Sequence, residues 1–170
     1  MGMYPGGNLI KLSPTDLVDS AYSAGDVVFG KHELKNAVPS RGGCSLLMSI
    51  TAFIEGASTD DDLILLFFDN STDLGAAVDA AGTDITADEF RTASCIGAMQ
   101  IDGGATSASD IGNGRVYVNS TNAGDTASPV FIKAAGGETS IWVACLQRSG
   151  TLDLVDTDSI TLTFGFQYLG

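Results

Sequence analysis

Six large apolar residues, Leu63-Ile64-Leu65-Leu66-Phe67-Phe68, stand in unbroken succession between Asp60-Asp61-Asp62 and Asp69-Asn70. At about 3.3 Å per residue the run spans roughly 20 Å, the length of one β-strand, and it is far too short to cross a membrane. A strand sends alternate side chains to opposite faces, so an uninterrupted apolar run needs cover on both. A buried helix is the alternative. The Phe-Phe pair, the Asp-Asn turn and the short length favour the strand. The flanking aspartates read as charges that keep so apolar a segment from aggregating before it is buried. They lack the spacing and the glycine of an EF-hand calcium loop.

The rest of the 170-residue chain supports the same class. Its 21 glycines, with many Ala, Ser, Thr and Asp residues, suit short strands joined by turns. Residues 45–55 alternate, with Met48, Ile50, Ala52 and Ile54 on one face and Leu47, Ser49, Thr51 and Phe53 on the other. The turn-rich 56–61 that follows predicts an antiparallel pair with the apolar strand. Further strands are expected at 26–29, 95–101, 115–118, 129–132 and 140–146. Ile160, Leu162, Phe164, Phe166 and Tyr168 show the cleanest period of two. Thr86-Ala87-Asp88-Glu89 is a capping box and predicts one short helix over about 87–93. The expectation is an all-β, jelly-roll-like two-sheet β-sandwich with one short helix. Pro5, Gly6, Gly7 and Pro14 set residues 1–20 apart as an extended amino-terminal arm before a sandwich domain at 21–170.

Charge is unevenly spread. In residues 1–41, Lys11, Lys31, Lys35 and Arg41 cancel Asp16, Asp19, Asp26 and Glu33, so the remaining chain carries the whole net charge of −13. An acidic body repels nucleic acid and anionic lipid, so neither is an expected partner. The neutral amino-terminal segment is the better contact surface, and Leu9, Ile10 and Leu12 are its apolar candidates.

Catalytic and cofactor chemistry finds little support. His32 is the one histidine, and no GxSxG elbow accompanies it. Gly103-Gly104-Ala105 and Gly112-Asn113-Gly114 fit neither Walker nor Rossmann spacing. Cys44, Cys95 and Cys145 are odd in number and widely spaced, which predicts reduced thiols and a reducing cytoplasm instead of a zinc site or disulfides. The amino terminus has neither the basic nor the apolar region of a secretory signal. No cofactor, metal or enzymatic activity is expected. The lone Trp142, between Ile141 and Val143, suits packing better than a sugar platform.

The order of the segments 22–31, 45–51, 62–70, 85–90, 129–134, 140–145 and 158–164 resembles a family of small virion proteins of tailed bacteriophages, the capsid decoration or cement proteins. The likeness covers about residues 21–166 and is a pattern of strands, with no catalytic residue to carry over. It implies a β-sandwich, often trimeric, on the exterior of the head, made in the host cytoplasm and bridging subunits of the major capsid protein. A tail- or fibre-associated module is the second expectation. A carbohydrate-binding β-sandwich is the third, and would need exposed aromatics on one sheet face.

Overall fold

The computed structural model describes residues 6–58, 61–103, 108–120, 129–157 and 159–169, without the side chains of 119 and 120. Asp60, Gly104, Ala105 and residues 1–5 of the expected arm lie outside the described residues.

The strands are β1 (Gly7–Leu12), β2 (Ala21–Ser23), β3 (Val27–Leu34), β4 (Cys44–Glu55), β5 (Asp62–Phe68), β6 (Cys95–Ile101), β7 (Ser109–Ile111), β8 (Gly114–Ser120), β9 (Val130–Lys133), β10 (Ile141–Ser149), β11 (Thr151–Asp153) and β12 (Ile160–Leu169). One helix, α1 (Ala87–Ala93), follows a single 3-10 turn at Gly82–Asp84. Its capping box is complete. Thr86 Oγ1 accepts the Glu89 amide at 3.2 Å, and the Glu89 carboxylate accepts the Thr86 amide at 2.8 Å.

One large sheet runs β1-β12-β4-β8-β7, with β9 also on β4; the other runs β3-β10-β5-β6; β2 and β11 form a separate two-stranded ribbon. Every pairing is antiparallel. Leaving aside the short β2, β7, β9 and β11, the chain visits the two sheets in the strand order of a jelly roll. The fold is therefore the expected all-β sandwich, and its topology follows from hydrogen-bonded neighbours alone. Of the residues expected to form an arm, 7–12 pair with β12 in continuous register from Gly7–Gln167 to Leu12–Leu162.

Two sequence expectations need correction. Strands β4 and β5 do not pair. They lie in different sheets, and the turn between them carries the chain from one sheet to the other. Gly56 sits at that corner with φ +79°, where a Cβ would fall 2.0 Å from the Asp153 carbonyl oxygen, a position that only glycine can hold. The alternation of β4 is also not continuous. Ser49 pairs with Gly165 and Leu47 with Phe166, leaving Met48 without a partner in a β-bulge. The bulge reverses the parity, so Ser45 and Leu47 join Ile50, Ala52 and Ile54 on the buried face while Met48 does not.

The core lies between the sheets. Leu63, Leu65 and Phe67 of β5 and Val143 and Cys145 of β10 face Ile50, Ala52, Ile160, Leu162 and Phe164. Phe67 meets Phe164 across the gap edge to face, ring centroids 6.1 Å apart at 84°, a favoured aromatic geometry. The other side of the apolar strand is covered differently. Phe68 and Ala144 form a small second cluster with Leu74 and Ala93 from the connection between β5 and β6, and Leu66, Ile85 and Trp142 pack against it. That connection is not a crossover, since β5 and β6 are direct neighbours. It leaves the end of β5, roofs the sheet and returns.

Truncating Phe164 to Ala should therefore lower stability by about 3–5 kcal/mol, read as a shift of the urea unfolding midpoint. A loss below about 1 kcal/mol would mean that the two sheets do not depend on this contact.

Candidate interaction face

The roof makes the sandwich asymmetric. Residues 69–94 cover the outer face of the four-stranded sheet, whereas among the described residues nothing lies over the outer face of the six-stranded one. Register and burial identify its side chains. One row across the strands is Gln167, Leu46 and Phe131; the next is Leu9, Gly165 and Ser49; the next is Lys11, Thr163, Thr51 and Val118; the last is Thr161, Phe53 and Val116. Leu9 is 75% exposed and Phe131 53%. A Cβ on Gly165 would meet Ser49 Oγ at 2.5 Å and Leu9 Cδ2 at 3.6 Å, so both side chains fold over that glycine.

The charge of this face differs from that of the whole chain. Among the described residues it carries Lys11 and Lys133, with Glu55 at one margin, against a chain total of −13. The roof on the other side carries Asp69, Asp73, Asp79, Asp84, Asp88 and Glu89 against Arg91 alone. The molecule is thus polarised through its thickness. One broad face combines apolar, hydroxyl and two cationic groups, and the opposite face is acidic. Sequence reading placed the low-acid surface in residues 1–41. The structure assembles it from β1, β4, β8, β9 and β12, which only sheet pairing brings together.

The three residues singled out for contact divide by strand parity. Leu9 points outward. Ile10 and Leu12, opposite Phe164 and Leu162, are half-buried and pack against the core. They hold β1 on the sheet, and Leu9 is left exposed on its outer face.

Other chemistry-bearing residues serve the fold. His32 Nε2 lies 2.6 Å from Asp16 Oδ1, and Asp16 Oδ2 accepts the Gly30 amide at 2.8 Å, tying the segment after β1 to β3. Burial pushes the Asp16 carboxyl up, but the bonds from His32 and Gly30 outweigh it and hold it below its ordinary 3.8. Asp61, expected as an exposed guard, is 2% exposed. Its carboxylate accepts the Ser58 amide at 2.6 Å and the Gln147 side-chain amide at 3.4 Å. Asp62 accepts the Gly103 amide at 2.9 Å and the Ser149 hydroxyl at 2.8 Å. These carboxylates pin the start of β5 to β10 and to the end of β6. Their role differs from the sequence expectation because one end of β5 begins inside the sandwich wall. Cys145 is fully buried, and burial raises its thiol; Cys44 and Cys95 are half-buried and free. Among the described residues no three of His, Cys, Asp and Glu converge as metal ligands, and no helix is long and apolar enough to cross a membrane.

No protein-family model matches the chain, and no curated protein does. Solved structures with similarity include a semi-empty virus-like particle of giant freshwater prawn Macrobrachium rosenbergii nodavirus, at 11% identity and TM-score 0.32, covering 98% of this chain and 96% of that one. Israeli acute paralysis virus matches at 9% identity and TM-score 0.30, over 98% of this chain and 72% of that one. Desmodium yellow mottle tymovirus matches at 13% and 0.26, over 99% and 84%. These overlaps are too loose to add to what the strand order already shows.

Two substitutions test the anchoring groups. Asp61→Ala removes the acceptor of the Ser58 N–H and one of the two acceptors of the Gln147 side-chain amide, which also donates to the Ser149 carbonyl, and should cost about 1–3 kcal/mol in urea unfolding; an aspartate that only guarded solubility would leave stability unchanged. Asp16 stabilises the fold at pH above its unfolded value of 3.8, and that contribution is lost as pH falls through its lower folded value. Asp16→Asn should flatten the fall in stability between about pH 5 and pH 3, and equal slopes in the two proteins would contradict the assignment.

Proposed function

We propose that this chain is a non-enzymatic virion structural protein that decorates the exterior of a tailed-phage head and bridges neighbouring capsid subunits. The observation that carries this reading is the uncovered face of the six-stranded sheet. It is broad, low in acid and partly apolar on a strongly acidic molecule, and it lies opposite the acidic roof. A protein that sits flat on a shell needs such a pair of surfaces. One side must give up its water to the partner, and the other must stay hydrated and repel further copies.

The segment pattern shared with decoration proteins supports the same reading, and so does the jelly-roll topology, although that topology serves many functions. In this arrangement Leu9 and Phe131 are the apolar contacts with the major capsid protein, Lys11 and Lys133 face its carboxylates, and Ile10 and Leu12 keep β1 in place. Trimer formation on the head and assembly from subunits made in the host cytoplasm belong to the same proposal. A sugar-binding sandwich has less support. Phe131 and Phe90 lie on opposite sides of the molecule, and Trp142 packs into the second cluster, so the described residues form no aromatic platform.

Heads lacking the protein, mixed with purified variants and pelleted, test the proposal. Leu9→Asp and Phe131→Asp should each lower affinity by about tenfold or more, whereas Asp84→Ala on the roof should leave it unchanged. Undiminished binding by both face variants would sink the proposal. Electron microscopy of purified virions places the protein on the head or on the tail, and density on the tail alone would favour the fibre-associated module.

A further inference from the structure

Lys31 has surroundings that a surface lysine does not need. It lies on β3, and its Nζ sits 4.0 Å from the centroid of the Phe68 ring, beneath the roof. It donates to the Ala93 carbonyl at 2.9 Å and to the Asn70 main-chain carbonyl at 3.1 Å, and Asn70 Oδ1 lies 3.4 Å away. The Asn70 carboxamide is held on every side. Its Oδ1 accepts the Thr72 amide at 2.9 Å. Its Nδ2 donates to Asp69 Oδ1 at 3.3 Å and to the Thr92 carbonyl at 3.1 Å.

We propose that Lys31 and Asn70 join in an intramolecular isopeptide bond, formed by the folded chain itself. Nζ also reaches Asn70 Oδ1 as a donor at 3.4 Å, so the amine stands beside the carboxamide whose carbon it attacks once deprotonated, and the reacting groups are already held together by the fold. Desolvation makes a lysine a nucleophile, and burial pushes the Lys31 ammonium down to about 8 against the opposing pull of Asp69, Cys95 and Asp73. The Thr72 N–H stands where negative charge would develop on Oδ1. Asp69 touches the nitrogen that would depart, the position of a group that carries a proton to a leaving amine.

The step balances without any co-reactant. The Nζ lone pair forms a bond to Asn70 Cγ while the carbonyl π electrons move onto Oδ1. One proton passes from Nζ, by way of the Asp69 carboxylate, to Nδ2. The electrons return, the Cγ–Nδ2 bond breaks, and ammonia leaves. A primary amine and a carboxamide become a secondary amide and ammonia. The new bond would tie β3 to the end of β5 across β10, which lies between them, and would close the roof over Phe68. This inference stands apart from the head-binding proposal, since it concerns the chain alone.

The test is mass spectrometry of the full-length protein, held at about pH 9 so that the amine is neutral. The expected result is an intact mass lower than the sequence by one ammonia, and a branched peptide joining Lys31 to Asn70 after proteolysis. Lys31→Arg and Asn70→Ala should keep their full masses, and Asp69→Ala should form the branch about a hundredfold more slowly. The wild-type digest decides the matter even where a variant fails to fold. Absence of the branched peptide after prolonged incubation would overturn the proposal. So would an ammonia loss located by the digest at Asn70 that persists in Lys31→Arg, which would come from succinimide formation at Asn70-Ser71; a loss located at Asn113-Gly114 is ordinary asparagine chemistry and is subtracted.

Discussion

The apolar strand β5 needs cover on both faces, and the rest of the molecule is arranged around that need. On the inner side Leu63, Leu65 and Phe67 meet the other sheet, with Phe67 against Phe164 at the centre. On the outer side Leu66 and Phe68 would meet water if the chain passed directly from β5 to β6 by a hairpin. Residues 69–94 instead leave the sheet and lay Leu74, Ile85 and Ala93 over it. An exposed Phe or Leu side chain forgoes about 1.5–3 kcal/mol of burial, so the roof is a large term in the stability of this sheet.

The roof is held by polar contacts as well as by packing. Lys31 reaches from β3 to carbonyls at both ends of the excursion, at Asn70 and at the end of α1, where a cation is favoured by the aligned peptide dipoles. Backbone bonds from Val27 to Ala80 and from Gly82 to Gly25 tie its middle to the start of β3 and to the turn before it. At the far end of β5, Asp61 and Asp62 bind backbone amides and the side chains of Gln147 and Ser149. Buried carboxylates are tolerated there because their oxygens have partners.

The long connection covers one sheet, and among the described residues nothing covers the outer face of the other, which is the face proposed for binding. The six-stranded face exposes Leu9, Val118 and Phe131 and, among the described residues, carries few acidic groups. Concentrating carboxylates on the roof sharpens the difference. The polarity through the sandwich therefore arises from the same decision that buries β5.

Much of this was legible in the sequence. The β-class, the helix at 87–93 with its capping box, the limits of β6 and the inward face of β12 follow from patterns only a few residues long. Those patterns report hydrogen bonds and side-chain directions that neighbours in the chain settle among themselves. The tertiary structure decided the rest. It put β4 and β5 in different sheets and reversed the parity of β4 at Met48. It also buried Asp61, separated Leu9 from Ile10 and Leu12, and gathered five distant strands into one face. Each of these depends on which strands lie side by side. Strand pairing is a contest among partners far apart in the chain, decided by the packing of the whole core.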